Sequence, residues 1–191
     1  NFRGVGRSEG SFDDGDGELD DLRAVAAWAK SEHPDKVLWL AGFSFGAWIS
    51  LRAADELKAQ LLLSIAPPVG RSWSFDDIAI PDIPWLIIQG EAAEIVEASA
   101  VFDWVATLPR SPRVVKMPDT SHFFHRKLID LRGAVKNGIR DWLPVPPAAA
   151  RALRRCRRRP TGVLACRSAR SCRPSPRCRP LCLGRRTRRC S

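Results

Sequence analysis

The segment from Lys36 to Leu57, KVLWLAGFSFGAWISLRAADEL, limits what this chain can fold into more than any other stretch. Val37-Leu38-Trp39-Leu40 is an apolar run of strand length, suited to burial on both faces. Ala47, Trp48, Leu51 and Ala54 then recur at helical spacing. Between the two patterns stands Gly42-Phe43-Ser44-Phe45-Gly46. Small residues meet by chance, and a bare Gly-x-Ser-x-Gly says little. With a strand before it and a helix after it, the same five residues form a sharp bend that lifts a serine hydroxyl clear of the backbone. Gly42 and Gly46 are expected there because the bend leaves no room for side chains where strand and helix cross.

The rest of the chain repeats that alternation. Leu61 to Ala66 is short and apolar and ends at Pro67-Pro68; Trp85 to Gly90 is a third strand pattern, and Val114, Val115 and Met117 mark a fourth. Helical spacing connects Leu19, Leu22, Val25, Ala26 and Ala29 before the bend. It returns in Val101, Trp104, Val105 and Leu108, and again in Leu128, Leu131, Val135, Ile139 and Trp142. Strands alternating with helices predict an α/β fold, a mostly parallel sheet with flanking helices whose ligands bind beyond the carboxyl ends of the strands. Val69 to Pro84 has no period and reads as a connecting loop near the mouth of the site. Asp13 to Asp21 reads as a solvated acidic segment at a helix start, where carboxylates suit the positive end of the helix dipole. The glycines at 4, 6 and 10 do not match a dinucleotide-binding fingerprint and read as turn residues.

Composition divides the chain near Pro147. All 21 acidic residues lie before it, with sixteen basic ones; after it come fifteen arginines, no acid and no aromatic residue. The net charge of +10 is thus a property of residues 148–191, while the domain expected over 1–147 is acidic. A basic chain suggests nucleic acid or an anionic membrane as partner, and that argument does not reach the folded part. The tail cannot bury a core and is expected to be disordered. It reads either as an arginine-rich arm for nucleic acid or as an out-of-frame translation of GC-rich coding sequence. Arginine without lysine favours the second. Cys156, Cys166, Cys172, Cys178, Cys182 and Cys190 all lie in the tail, and with no Cys-x-x-Cys pair they do not form a zinc pattern. A cysteine-free domain fits a reducing cytoplasm. No apolar stretch approaches the length of a membrane span, and no signal peptide is visible.

A serine hydroxyl needs a base within hydrogen-bond reach, and that base needs a group that fixes its tautomer. There are three histidines. His33 lies in a polar turn, Glu32-His33-Pro34-Asp35. His122, in Asp119-Thr120-Ser121-His122-Phe123-Phe124, directly follows the fourth strand, where a loop brings an imidazole over the sheet edge. His122 is the expected base, with His125 as its competitor. Asp119, His122 and His125 crowd one loop, but Phe123-Phe124 between them speaks for packing and against a metal.

Asn1-Phe2-Arg3-Gly4-Val5-Gly6, the bend at Ser44, Ile65-Ala66-Pro67-Pro68, Gln89-Gly90-Glu91 and Ser121-His122-Phe123-Phe124 together resemble bacterial α/β-hydrolases of the dienelactone-hydrolase-like and serine-aminopeptidase-like kind. The resemblance covers about residues 1 to 143. It implies a partial α/β-hydrolase fold and a cytoplasmic enzyme without cofactor or metal. It also implies Ser44 as nucleophile, His122 as general base and the Phe45 amide as an oxyanion donor. The partner it implies is a small ester, thioester or amide; it implies no membrane or nucleic-acid partner and leaves the oligomeric state open. This chain departs from the family at the acid: a Gly-Asp-x-Asp-x-Val-type motif is replaced by Gly90-Glu91-Ala92-Ala93-Glu94-Ile95-Val96, with Ala93 at the carboxylate position. Altering comparable partners elsewhere costs on the order of 10⁴ in rate. Glu94 is the expected substitute, with Glu91 the other candidate in the same loop. The family also has earlier strands and a loop that gives a second oxyanion amide, worth about 10² to 10³. The chain opens at Asn1, after them, and is expected to be an N-terminally incomplete copy with an exposed sheet edge.

Overall fold

The computed structural model describes residues 1–143; the readings made for the cysteines and for the tail lie outside the described residues. Four strands, β1 (Trp39–Phe43), β2 (Leu61–Ile65), β3 (Trp85–Gly90) and β4 (Arg113–Met117), form one sheet in sequential order, each parallel to the next. The register runs from Trp39 beside Leu61 to Gly90 beside Met117. The helices are α1 (Asp16–Glu32), α2 (Phe45–Ala53), α3 (Ala98–Thr107) and α4 (Leu128–Gly138), and a 3₁₀ turn follows at Arg140–Trp142. The expected α/β architecture is therefore present.

The two-residue repeat of a strand explains why the core has two parts. Trp85 and Ile87 of β3 face a cluster with Leu40, Trp48, Ile49, Leu51, Leu62, Val101 and Val105, drawn from β1, α2, β2 and α3. Leu86 and Ile88 point the other way, into a cluster with Met117 and Phe124 against which α4 lays Leu131 and Val135. Covered on both faces and paired on both sides, β3 is buried at every residue. Each such Leu or Ile contributes about 1.5–3 kcal/mol by leaving water. The one polar residue of β2, Ser64, accepts a buried hydrogen bond from the Trp85 indole at 3.0 Å.

Several expectations need correction. β1 is not buried on both faces: Ala41 and Phe43 are exposed, and Val37 precedes the first residue paired with β2. β1 is one of the sheet's two edge strands, and α2 is the one helix among the described residues that packs on it. The acidic segment is not simply solvated. Glu18 is buried at 1% exposure, where its carboxylate accepts from the Asp13 and Gly15 amides at 3.1 and 2.9 Å and closes the start of α1 from inside. Asp21 holds the Arg3 amide at 2.7 Å and its guanidinium at 2.9 Å, which ties the glycine-rich opening segment to α1. In α1, Val25 is exposed although it lies on the apolar stripe; α1 packs on α2, and its buried apolar residues are Leu19 and Ala26. No helix among the described residues is long and apolar enough to cross a membrane.

Candidate active site

β1 delivers the chain to Ser44, whose φ of 49° and ψ of −119° lie outside the regions that ordinary residues occupy. Such a conformation costs of order 1–3 kcal/mol and persists only where its surroundings impose it. Here the Ser44 amide donates to the Ile65 carbonyl of the neighbouring strand at 2.8 Å, and the Ser44 carbonyl accepts from Ala47 at 2.9 Å. Gly42 has no alternative. A Cβ there would run into the backbone of Gly46 and Ala47, where helix crosses strand. Gly46 differs from expectation, because a Cβ at that position meets nothing within 4 Å. It is the Gly46 backbone, not a missing side chain, that occupies the crossing. Phe45 opens α2, so its N–H is among the initial helix donors that have no intrahelical acceptor.

The loop after β4 brings His122 across to this bend. Asp119 turns the chain with φ of 49°, and Thr120 closes the turn through a hydroxyl bond to the Pro118 carbonyl at 2.9 Å. The loop is held against the end of β3: the Glu91 amide donates to Met117 at 2.9 Å and the Ala92 amide to Thr120 at 3.1 Å. His122 is 1% exposed, with its Nε2 3.0 Å from the Ser44 hydroxyl and its ring 5.2 Å from that of Phe43. His33 and His125 are exposed and do not form a hydrogen bond to Ser44. Among the described residues, no group of three His, Cys, Asp or Glu stands close enough together to hold a metal ion.

The far side of the imidazole is different. For Nε2 to accept the serine proton, Nδ1 must carry the ring's own proton. That atom is buried and has no hydrogen-bond partner, as are the Ser121 hydroxyl and the Gln89 side-chain carbonyl oxygen. Glu94 does come to His122, but to its backbone amide, which donates to Oε2 at 3.0 Å. That bond, followed by one from its own amide, holds the Glu94 carboxyl below the usual range. Burial pushes the His122 pKa below its ordinary value, and the nearby Glu94 charge opposes the shift without cancelling it. Glu91 is exposed, and Ala93 lies between two residues tied to the His122 loop.

Sequence reading missed the support around these groups. The Ile65 carbonyl that holds the Ser44 amide and the ring of Phe43 against His122 leave no local signature, because both depend on which strands become neighbours. The Arg3–Asp21 pair had a signal in the opening Asn-Phe-Arg-Gly motif, but its partner was hidden in an acidic run.

A serine on a strained strand-to-helix bend, an imidazole at hydrogen-bond distance and a parallel sheet behind them define the class: the chain belongs to the α/β-hydrolase superfamily. A structure from Xanthomonas campestris, described as a member of the α/β serine hydrolases without lid, is 63% identical with a TM-score of 0.74 over 77% of this chain and 66% of its own. A protein of unknown function from Agrobacterium tumefaciens, described as a candidate α/β-hydrolase, is 34% identical with a TM-score of 0.70 over 76% of this chain and 72% of its own. An uncharacterized protein of Rickettsia prowazekii is 34% identical over 146 residues, 72% of this chain and 61% of its own length. The chain thus spans just under two thirds of the Xanthomonas and Rickettsia proteins. No protein-family profile matches it.

Proposed function

We propose that this chain carries the site of a serine hydrolase that acts on a small ester, thioester or amide through an acyl-enzyme. The observation that supports this most is the 3.0 Å approach of His122 Nε2 to the hydroxyl of Ser44 on its strained bend. In this reading Ser44 Oγ attacks the carbonyl carbon while its proton passes to Nε2, and the Phe45 amide donates to the developing oxyanion. As the tetrahedral species collapses, the bond to the leaving oxygen, sulfur or nitrogen breaks and His122 gives the proton to the departing group. Water then attacks the acyl-Ser44, giving a proton to His122, and that proton passes to Ser44 Oγ as its bond to the acyl carbon breaks and the acid is released.

Catalysis in this chain is impaired at the step that charges His122. An imidazolium formed there has a buried Nδ1–H without acceptor, because Ala93 stands where the resemblance puts the carboxylate and Glu94 serves the main chain. Glu94 then acts through space, as a charge that favours the protonated ring. Rapid mixing with p-nitrophenyl acetate tests the reading. The expected outcome is release of one equivalent of p-nitrophenol with an acetyl group on Ser44, followed by slow turnover, and no acetylation in Ser44→Ala. Release at the same rate from wild-type and Ser44→Ala chains contradicts it.

A further inference from the structure

The rings around Ser44 are unevenly placed. Phe43 and Phe123 are large apolar side chains left 42% and 48% exposed, and each lies 5.2 Å from the His122 ring, with their own centroids 6.1 Å apart. The exposed Phe12 leans instead on Phe45, whose ring is committed to Trp73 at 4.9 Å and to the core. Single exposed apolar residues need no explanation, but a pair of rings that share one buried imidazole forms a surface. That surface adjoins the ring to which the chemistry brings a particular part of the substrate. Because His122 gives its proton to the leaving oxygen, the leaving alcohol departs beside the imidazole that Phe43 and Phe123 both touch.

We infer that the site prefers esters whose alcohol part is aromatic, with the ring received edge-on or offset by Phe43 and Phe123. This rests on the serine-hydrolase reading and names the substrate class of the same site. Phe43 is fixed in this role by its place next to Ser44 on β1, and its packing on Phe123 and Phe124 holds the wall together. Aromatic pairs gain more than the area they bury, provided the rings meet at an angle or with an offset.

Benzyl acetate and cyclohexylmethyl acetate test the preference, since they leave the same acetyl-enzyme and differ only in the departing alcohol. Acetylation of Ser44, followed by intact-protein mass spectrometry, is expected to be about tenfold faster with the benzyl ester. Phe123→Ala and Phe43→Ala should each reduce that ratio, and the double substitution should bring it close to one. The wild-type ratio stands whether or not the variants fold, and Phe123→Ala alone, at an exposed position, serves if the double variant does not. Acetylation at equal rates by the two esters, or a ratio that survives loss of both rings, overturns the inference while leaving the enzyme reading intact. If p-nitrophenyl acetate acetylates Ser44 and neither of these esters does, the inference falls alone; if none of the three acetylates Ser44, the enzyme reading falls with it.

Discussion

The two sides of the candidate site are built to different standards. On the serine side every requirement meets a physical cause: a glycine where backbones cross, a strained serine pinned through its amide to Ile65, and a helix start that supplies a free donor. On the histidine side the ring is buried and aimed, but the atom that should be held from behind has no partner, and the nearest carboxylate is spent on the backbone. Placing a histidine and charging it are therefore separate tasks. The loop hydrogen bonds between residues 91–92 and 117–120 accomplish the first without the second.

Restoring the weaker side should have the largest effect. Ala93→Asp restores a carboxylate between two residues tied to the His122 loop, and the turnover rate for p-nitrophenyl acetate is expected to rise by on the order of 10³–10⁴. An unchanged rate in a variant with normal melting behaviour would mean that the orphaned Nδ1 is not what limits the site. Next comes the serine side, which should resist change. Gly42→Ala is expected to destabilise the fold by about 3 kcal/mol or more, read as a lowered melting temperature, because its Cβ has no space. Gly46→Ala, in open space inside a helix, should be neutral or stabilising by up to about 1 kcal/mol. Equal effects of the two substitutions would remove the claimed asymmetry within the bend.

The smallest effect concerns pH. His122 must be neutral to accept the serine proton, and burial holds its pKa below the ordinary histidine value. Acylation should therefore rise with pH and reach half its maximum below the ordinary value of about 6.5. Glu94 opposes the burial effect, so Glu94→Gln should move the midpoint lower still, with a few-fold change in rate at neutral pH. A midpoint that moves upward would show that Glu94 does not act on the ring as a nearby negative charge.

Much of this was legible in the sequence, and what was not has physical reasons. β2 and β3 were found as apolar runs because a strand covered on both faces needs little but apolar residues, whereas β4, with exposed Arg113 and Lys116, was marked only by Val114, Val115 and Met117. Ser44 was marked by its flanks, and His122 by its place after the last strand. β1 was misjudged because its composition cannot show that a helix packs on it from one side only. Glu18 was read as a surface acid because nothing local reveals that Gly15, at φ of 102°, turns the chain so that this carboxylate points inward. Glu94 illustrates the harder case. Its loop could be foreseen, but whether its carboxylate meets a ring nitrogen or a backbone amide is decided by a few torsions that leave no trace in residue type.

The most direct test of the account is labelling by a fluorophosphonate, with the adduct mapped by peptide mass spectrometry. The account predicts a single adduct on Ser44, absent from Ser44→Ala and formed far more slowly in His122→Ala. An adduct located elsewhere, or labelling of Ser44 that His122→Ala leaves unchanged, would contradict it.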